Sequence, residues 1–143
     1  ILREAPPVEE THHRTASFAS NSGITDGEHL YAYFGSQGLY CLNFEGHLQW
    51  EQDLGDMTTR NSFGEGSSPA IQGNTLVVNW DHEKDSFIVA LDKHSGKELW
   101  RQSRNEPSSW STPLIVEFAS KHQVIVSASN KTRSYDLTTG AVT

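Results

Sequence analysis

Three arginines recur at one spacing. Arg14, Arg60 and Arg104 each stand nine residues before Gly23, Pro69 or Pro113, and an asparagine follows two of them, Asn61 and Asn105. A guanidinium is planar and permanently charged, and it holds a carboxylate or phosphate with two parallel N–H donors. Three such groups in equivalent places would make a receptor for an anionic ligand, provided the surrounding elements bring them together. The plainer reading pairs each arginine with an acid or backbone carbonyl of the adjacent repeat, where it would set the spacing of the units.

Other chemistry-bearing residues are weaker candidates. His12 and His13 are adjacent, point apart along the chain, and make a poor chelating pair alone. Asp81-His82-Glu83-Lys84-Asp85 alternates carboxylates but lacks a glycine-turned loop with ligands at calcium spacing, so a solvated hairpin tip is expected. Phe63-Gly64-Glu65-Gly66-Ser67 is glycine-rich but has neither the lysine nor the following helix of a phosphate loop. No Gly-x-Ser-x-Gly elbow accompanies the available Ser, His and Asp, so a hydrolase triad has no support. Asn130-Lys131-Thr132 is a glycosylation sequon of a kind that chance supplies. Phe18, Phe63 and Trp110 could present an aromatic surface to peptides or sugars, although packing against a neighbouring unit is the simpler account. The single cysteine, Cys41, lies in the apolar run Leu39-Tyr40-Cys41-Leu42 and reads as a small core residue.

Composition narrows the partners. The formal net charge of −7 argues against nonspecific nucleic-acid binding, which needs clustered Lys and Arg. No apolar stretch approaches the roughly 18 residues that span a bilayer. Ile1-Leu2-Arg3-Glu4-Ala5-Pro6-Pro7 has no sustained apolar segment and does not read as a signal peptide. Abundant Gly, Ser, Thr and Asn, with aromatics at 10%, favour short strands and many turns.

The elements that must position these residues come from an internal repeat. Leu39-Tyr40-Cys41-Leu42-Asn43-Phe44-Glu45-Gly46-His47-Leu48-Gln49-Trp50 matches Ile88-Val89-Ala90-Leu91-Asp92-Lys93-His94-Ser95-Gly96-Lys97-Glu98-Leu99-Trp100, and a third copy runs from Thr132 through Asp136 and Gly140 to Thr143. Each unit is an apolar strand, a turn opened by Asn43, Asp92 or Asp136, a glycine, and a strand reaching toward Trp50 or Trp100. The side-chain oxygen of Asn or Asp bonds the backbone ahead, and glycine supplies the positive φ that closes the turn. The tryptophan sets a large ring at a fixed place in each copy. Gly46, Gly96 and Gly140 are 50 and 44 residues apart, a spacing suited to four-stranded propeller blades. Upstream, Ser67-Ser68-Pro69-Ala70-Ile71 matches Ser111-Thr112-Pro113-Leu114-Ile115, and Asn21-Ser22-Gly23-Ile24 fits the same frame. A second strand follows each: His29–Phe34, Thr75–Trp80 and Gln123–Ser127. The third of these turns, between Glu117 and His122, has no glycine.

The predicted fold is all-β, a β-propeller segment of about three four-stranded antiparallel blades. Residues 1–16 read as the end of a preceding blade and a connection, 17–54 and 55–104 as blades, and 105–143 as a blade lacking its outermost strand. An immunoglobulin-like sandwich is the alternative. Propellers need at least four blades, so a longer protein or self-association of several copies is expected to close the ring.

Ala90-Leu91-Asp92-Lys93-His94-Ser95-Gly96-Lys97-Glu98-Leu99-Trp100 closely resembles the tryptophan-docking motif of the pyrroloquinoline-quinone (PQQ)-type propeller repeat, and the resemblance extends from about Ser17 onward. It implies the propeller fold and periplasmic or extracellular residence. For activity it implies two classes, because such repeats serve in quinoprotein dehydrogenases and in noncatalytic scaffolds. The dehydrogenases resemble one another in an adjacent cysteine pair and a Glu/Asn/Asp metal set, neither of which can be placed here. The expected function is therefore a noncatalytic module without cofactor, binding a protein, peptide or small anionic ligand on its channel-mouth face through Arg14, Arg60, Asn61, Arg104 and Asn105. The alternatives are a fragment of a PQQ- and calcium-dependent dehydrogenase, or a structural segment of a multidomain protein.

Overall fold

The computed structural model describes Glu4, Pro6, Pro7 and residues 13–143. His12, and the Ile1-Leu2-Arg3 stretch expected to end a preceding blade, lie outside the described residues. Three antiparallel sheets follow one another along the chain. The first orders β1 (Ile24–Thr25), β2 (His29–Tyr33), β3 (Leu39–Asn43) and β4 (Leu48–Gln52) side by side. The second repeats the order with β5 (Ala70–Gln72), β6 (Thr75–Trp80), β7 (Phe87–Asp92) and β8 (Glu98–Ser103). The third has β9 (Leu114–Phe118), β10 (Lys121–Ser127) and β11 (Thr132–Asp136), and Val142 bridges back to Tyr135 beside them. Pro69 and Pro113 stand just before β5 and β9, where a missing N–H costs no ladder bond.

The middle sheet explains how the units stack. Its central strands are almost wholly buried, because both of its faces are covered. Leu76, Val78, Trp80, Val89 and Leu91 pack against Tyr31, Tyr33, Leu39 and Cys41 of the first sheet. The alternate residues Val77, Ile88 and Ala90 face the other way, onto Val124, Val126 and Tyr135 of the third. The period of two thus sorts one strand's side chains between two cores.

The hairpin turns are built from the expected side chains. Asn43 accepts a bond from the His47 amide at 2.8 Å, Asp92 from Ser95 at 2.8 Å, and Asp136 from Thr139 at 2.9 Å. The Ser95 hydroxyl and amide pull the Asp92 carboxyl below the usual range, and the Thr139 amide and hydroxyl do the same to Asp136. Gly96 and Gly140 do more than turn the chain. The six-membered edge of Trp50 lies on Gly96 while the Nε1–H of its five-membered ring donates to the Lys93 carbonyl at 2.9 Å, and Trp100 likewise lies on Gly140 and donates to the Leu137 carbonyl at 2.8 Å. Each ring therefore crosses from one sheet to the turn of the next. The glycine-free turn differs from its counterparts. Phe118 pairs with Lys121 across a two-residue loop in which Ala119 and Ser120 both take positive φ, at 50° and 59°. It is the geometry that Asn-Gly usually supplies.

Candidate functional site

The connections between sheets and the β2–β3, β6–β7 and β10–β11 loops emerge on one face, and hydrogen bonds knit them together there. Glu65, on the first connection, accepts from the Ser36 amide at 2.7 Å and from the Ser36 hydroxyl. Glu106, on the second, accepts from the Asn130 amide at 2.9 Å and from Arg133 at 2.7 Å. Beneath these lies a ladder that repeats with the blades. Ser22 donates its amide to Ser68 Oγ at 2.8 Å, and Ser68 donates its own to Thr112 Oγ1 at 3.1 Å.

The three arginines do not form an equivalent set. Arg104 is a correction to the sequence reading: its side chain is 0% exposed and its guanidinium is consumed internally. Nε and Nη2 clamp both oxygens of Asp81 at 2.7 and 3.1 Å, while Nη1 meets the Tyr135 hydroxyl at 2.5 Å. Burial opposes its charge, but Asp81 outweighs burial and raises the arginine's pKa. The group ties its own blade to the next and cannot receive a ligand. Asp81 and His82 are correspondingly buried, so only Glu83, Lys84 and Asp85 of that expected solvated tip face water. Asp81 also accepts from Asn79 at 3.1 Å and Ser109 at 2.7 Å.

Arg60 differs because its partner position is vacant of side chain. Asp81 stands twelve residues after Pro69, and the residue twelve after Gly23 is Gly35. Without an acid there, Arg60 stays 54% exposed and only approaches Glu83, at 3.8 Å. Glu83 is itself held by the hydroxyl and amide of Ser108, which lower its pKa ahead of any effect of Arg60. Glu65 fills the space beside Gly35, where a Cβ would overlap its carboxylate. Arg14 and Asn105 are exposed, and Asn61 is exposed in the left-handed region at φ 54°.

The aromatic residues are more clearly gathered. Phe63 and Trp110 remain 37% and 40% exposed, their ring centroids 6.3 Å apart, and His13 meets Phe63 edge-on at 5.2 Å. Packing on each other and on the neighbouring connection covers them in part. The indole is fixed by a 2.7 Å bond from Nε1 to the Gly64 carbonyl, and it lies against Gly66, where a Cβ would come within 3.3 Å of it. Consecutive left-handed residues Asn61 and Ser62 precede Phe63 on this connection. Phe18 and Phe34 are also exposed, on the adjoining surface. Phe34 was missed at the sequence level because it reads as the end of a buried strand.

Among the described residues no three His, Cys, Asp or Glu side chains gather as a metal-holding group. The buried carboxylates of this face, Asp81 and Glu106, already accept from the chain's own donors, and Cys41 is buried in the first core with its thiol pushed up to about 11 by burial and by the Asp26 charge. Both carboxylates are thus committed to partners within the described residues. No helix among them is long and apolar enough to cross a membrane.

Comparison with known proteins places the chain. A family model described as outer membrane protein assembly factor BamB matches residues 8–143. Among solved structures, BamB from Moraxella catarrhalis superposes with a TM-score of 0.64 at 20% identity, over 86% of this chain and 36% of that one. A europium-containing methanol dehydrogenase gives 0.60 at 17% identity, over 94% and 26%. The quinohemoprotein alcohol dehydrogenase from Comamonas testosteroni gives 0.61 at 18% identity, over 87% and 20%. At these identities the likeness shows the shared propeller fold. The chain spans about a third of the BamB structure and less of the dehydrogenases. No curated protein matches.

Proposed function

From the premise that the chain belongs to the family described as outer membrane protein assembly factor BamB, a family of PQQ-like propeller repeats, we propose that it is a noncatalytic module that binds a protein partner on the face formed by its connections. One observation carries this reading: that face exposes fixed aromatic rings, Phe63 among them on the same connection as Arg60, while its buried acids Asp81 and Glu106 are taken up by Arg104 and Arg133. Aromatic residues and arginine are the side chains that protein interfaces favour, and rigid rings give contact area at small entropic cost. A small anionic ligand is less well served, because Arg104 is already committed to Asp81. The dehydrogenase reading, the alternative, has no adjacent cysteine pair in this sequence to support it. The reading includes periplasmic or extracellular residence, and ring closure by blades beyond this chain.

The test is photocrosslinking in the intact protein in its native cells, with p-benzoylphenylalanine in place of Arg60 or, on the opposite face, of Glu45. Adducts with another protein from position 60 and none from position 45 are expected. Adducts from both alike, or from position 45 alone, would sink the assignment of this face.

A further inference from the structure

We propose that His82 is a proton-sensitive latch on the first connection, holding the stretch that leads to Arg60 and Phe63 while neutral and releasing it on protonation. Its consequence, a weaker hold on a partner in mild acid, rests on the reading of that face as a protein-binding surface.

The connection is pinned through its backbone donors. The Met57 amide donates to Ser36 Oγ at 2.8 Å, the Thr58 amide to His82 Nδ1 at 3.2 Å, and the Arg60 amide to Ser108 Oγ at 2.8 Å. Ser36 and His82 hold the same place in successive blades, thirteen residues after Gly23 and Pro69. They differ in what a proton does to them. Imidazole changes charge between about pH 5 and 8, whereas a serine oxygen keeps its lone pairs throughout that range. The Thr58 amide has one hydrogen to give, so Nδ1 holds a lone pair and the ring's own proton sits on Nε2. A second proton on Nδ1 sets donor against donor and abolishes the bond. Of the three acceptors, the histidine alone can be switched off.

The surroundings let the ring respond without unfastening its own loop. The His82 amide donates to Ser86 Oγ at 3.0 Å, and that hydroxyl donates to the Glu106 carbonyl at 2.8 Å. The buried imidazole stands edge-on to Trp80 at 6.3 Å. The charged groups around it are already engaged, apart from the exposed Lys84 and Asp85 of the loop tip. Asp81 is clamped by Arg104 and Glu106 by Arg133, both from the far side of the loop. Glu83 is bonded by Ser108, and Arg60 approaches it from the first connection at 3.8 Å. A cationic His82 therefore has Glu83 as its acid, in competition with Arg60. The Glu83 amide still holds the Thr58 carbonyl at 2.9 Å, so protonation loosens the connection without detaching it.

The experiment follows amide hydrogen exchange of the intact protein by mass spectrometry at about pH 7.5 and 5.5, two values within the histidine range, with rates divided by the intrinsic rate at each. Peptides covering 57–60 are expected to lose about fivefold or more of their protection at the lower pH, as loss of one hydrogen bond implies. The β7 peptide should keep its protection. His82→Asn supplies an acceptor oxygen that does not titrate, so protection of 57–60 should then be equal at the two values. His82→Gln gives the same comparison if the asparagine variant folds poorly. Unchanged protection in the native protein, or the same loss in a folded His82→Asn protein, would overturn the latch. Photocrosslinking from position 60 at the same two pH values separates the device from its use. Adducts should fall in acid in the native background and stay constant with His82→Asn, and adducts indifferent to pH would overturn the regulation of binding. Lost protection at 57–60 with no adducts at either pH would leave the latch standing and discard the protein-binding face.

Discussion

Gly96→Ala separates the two jobs of the repeat glycine, and Gly73 in the same blade provides the control. Both have positive φ, 70° and 57°, so alanine at either meets the left-handed penalty of about 1–2 kcal/mol. At Gly73 an added Cβ would touch nothing within 4 Å. At Gly96 it would sit 2.7 Å from Trp50 Cε3 and 2.8 Å from Cδ2. Those are atoms of a rigid ring pinned by its Nε1 bond to Lys93, so the indole cannot swing aside without losing that bond. Overpacking costs about 1–3 kcal/mol, and the lost hydrogen bond about 1 kcal/mol more. Gly96→Ala should thus destabilise by roughly 2–4 kcal/mol beyond Gly73→Ala. Urea unfolding of the intact protein measures both. A double-mutant cycle with Trp50→Leu should recover most of the excess, since the clash then has no partner. Equal losses for the two glycine variants, or an excess that survives removal of Trp50, would refute the claim that Gly96 is there for the ring.

Removing Arg104 should be far costlier than removing Arg60. Arg104→Ala leaves Asp81 buried and uncompensated, for about 3–5 kcal/mol, whereas Arg60→Ala at an exposed 3.8 Å approach should stay within about 0.5 kcal/mol in thermal or urea unfolding. Replacing Ala119-Ser120 by Asn-Gly should stabilise by about 1–2 kcal/mol, read as a higher urea midpoint at unchanged slope. Stability should also fall in acid through Asp26, which bridges two blades. Burial opposes its charge, but the Lys93 ammonium at 2.8 Å, the His29 and Glu28 amides and the Tyr31 hydroxyl overcome that and hold its pKa well below normal. A depressed carboxylate stabilises above its unfolded pKa of about 4, so its contribution should be lost as pH falls below that value. Asp26→Asn should flatten the acid limb of a stability–pH curve.

Much of this architecture is local and therefore readable along the chain. Asn43, Asp92 and Asp136 open their turns with their own side chains, glycine follows at a constant offset, and the alternation of apolar residues marks β6 and β7. These depend on backbone preferences and on neighbours a few residues away, so the repeat carried the propeller fold. The positions of Trp50 and Trp100 were legible too, because their spacing from the glycine recurs.

The arginines show where such reading ends. Arg60 and Arg104 occupy the same place in the repeat, yet one is exposed and the other is sealed inside an ion pair. The difference lies in Asp81 and Gly35, which hold matching places in an earlier loop and come near the arginines only when the blade folds back on itself. Phe63 and Trp110 likewise lie 47 residues apart on successive connections, and stacking of the blades makes them neighbours. Spacing along a chain tells which residues are equivalent. Whether equivalent residues meet water or one another depends on long-range burial and charge pairing, which the repeat itself does not encode.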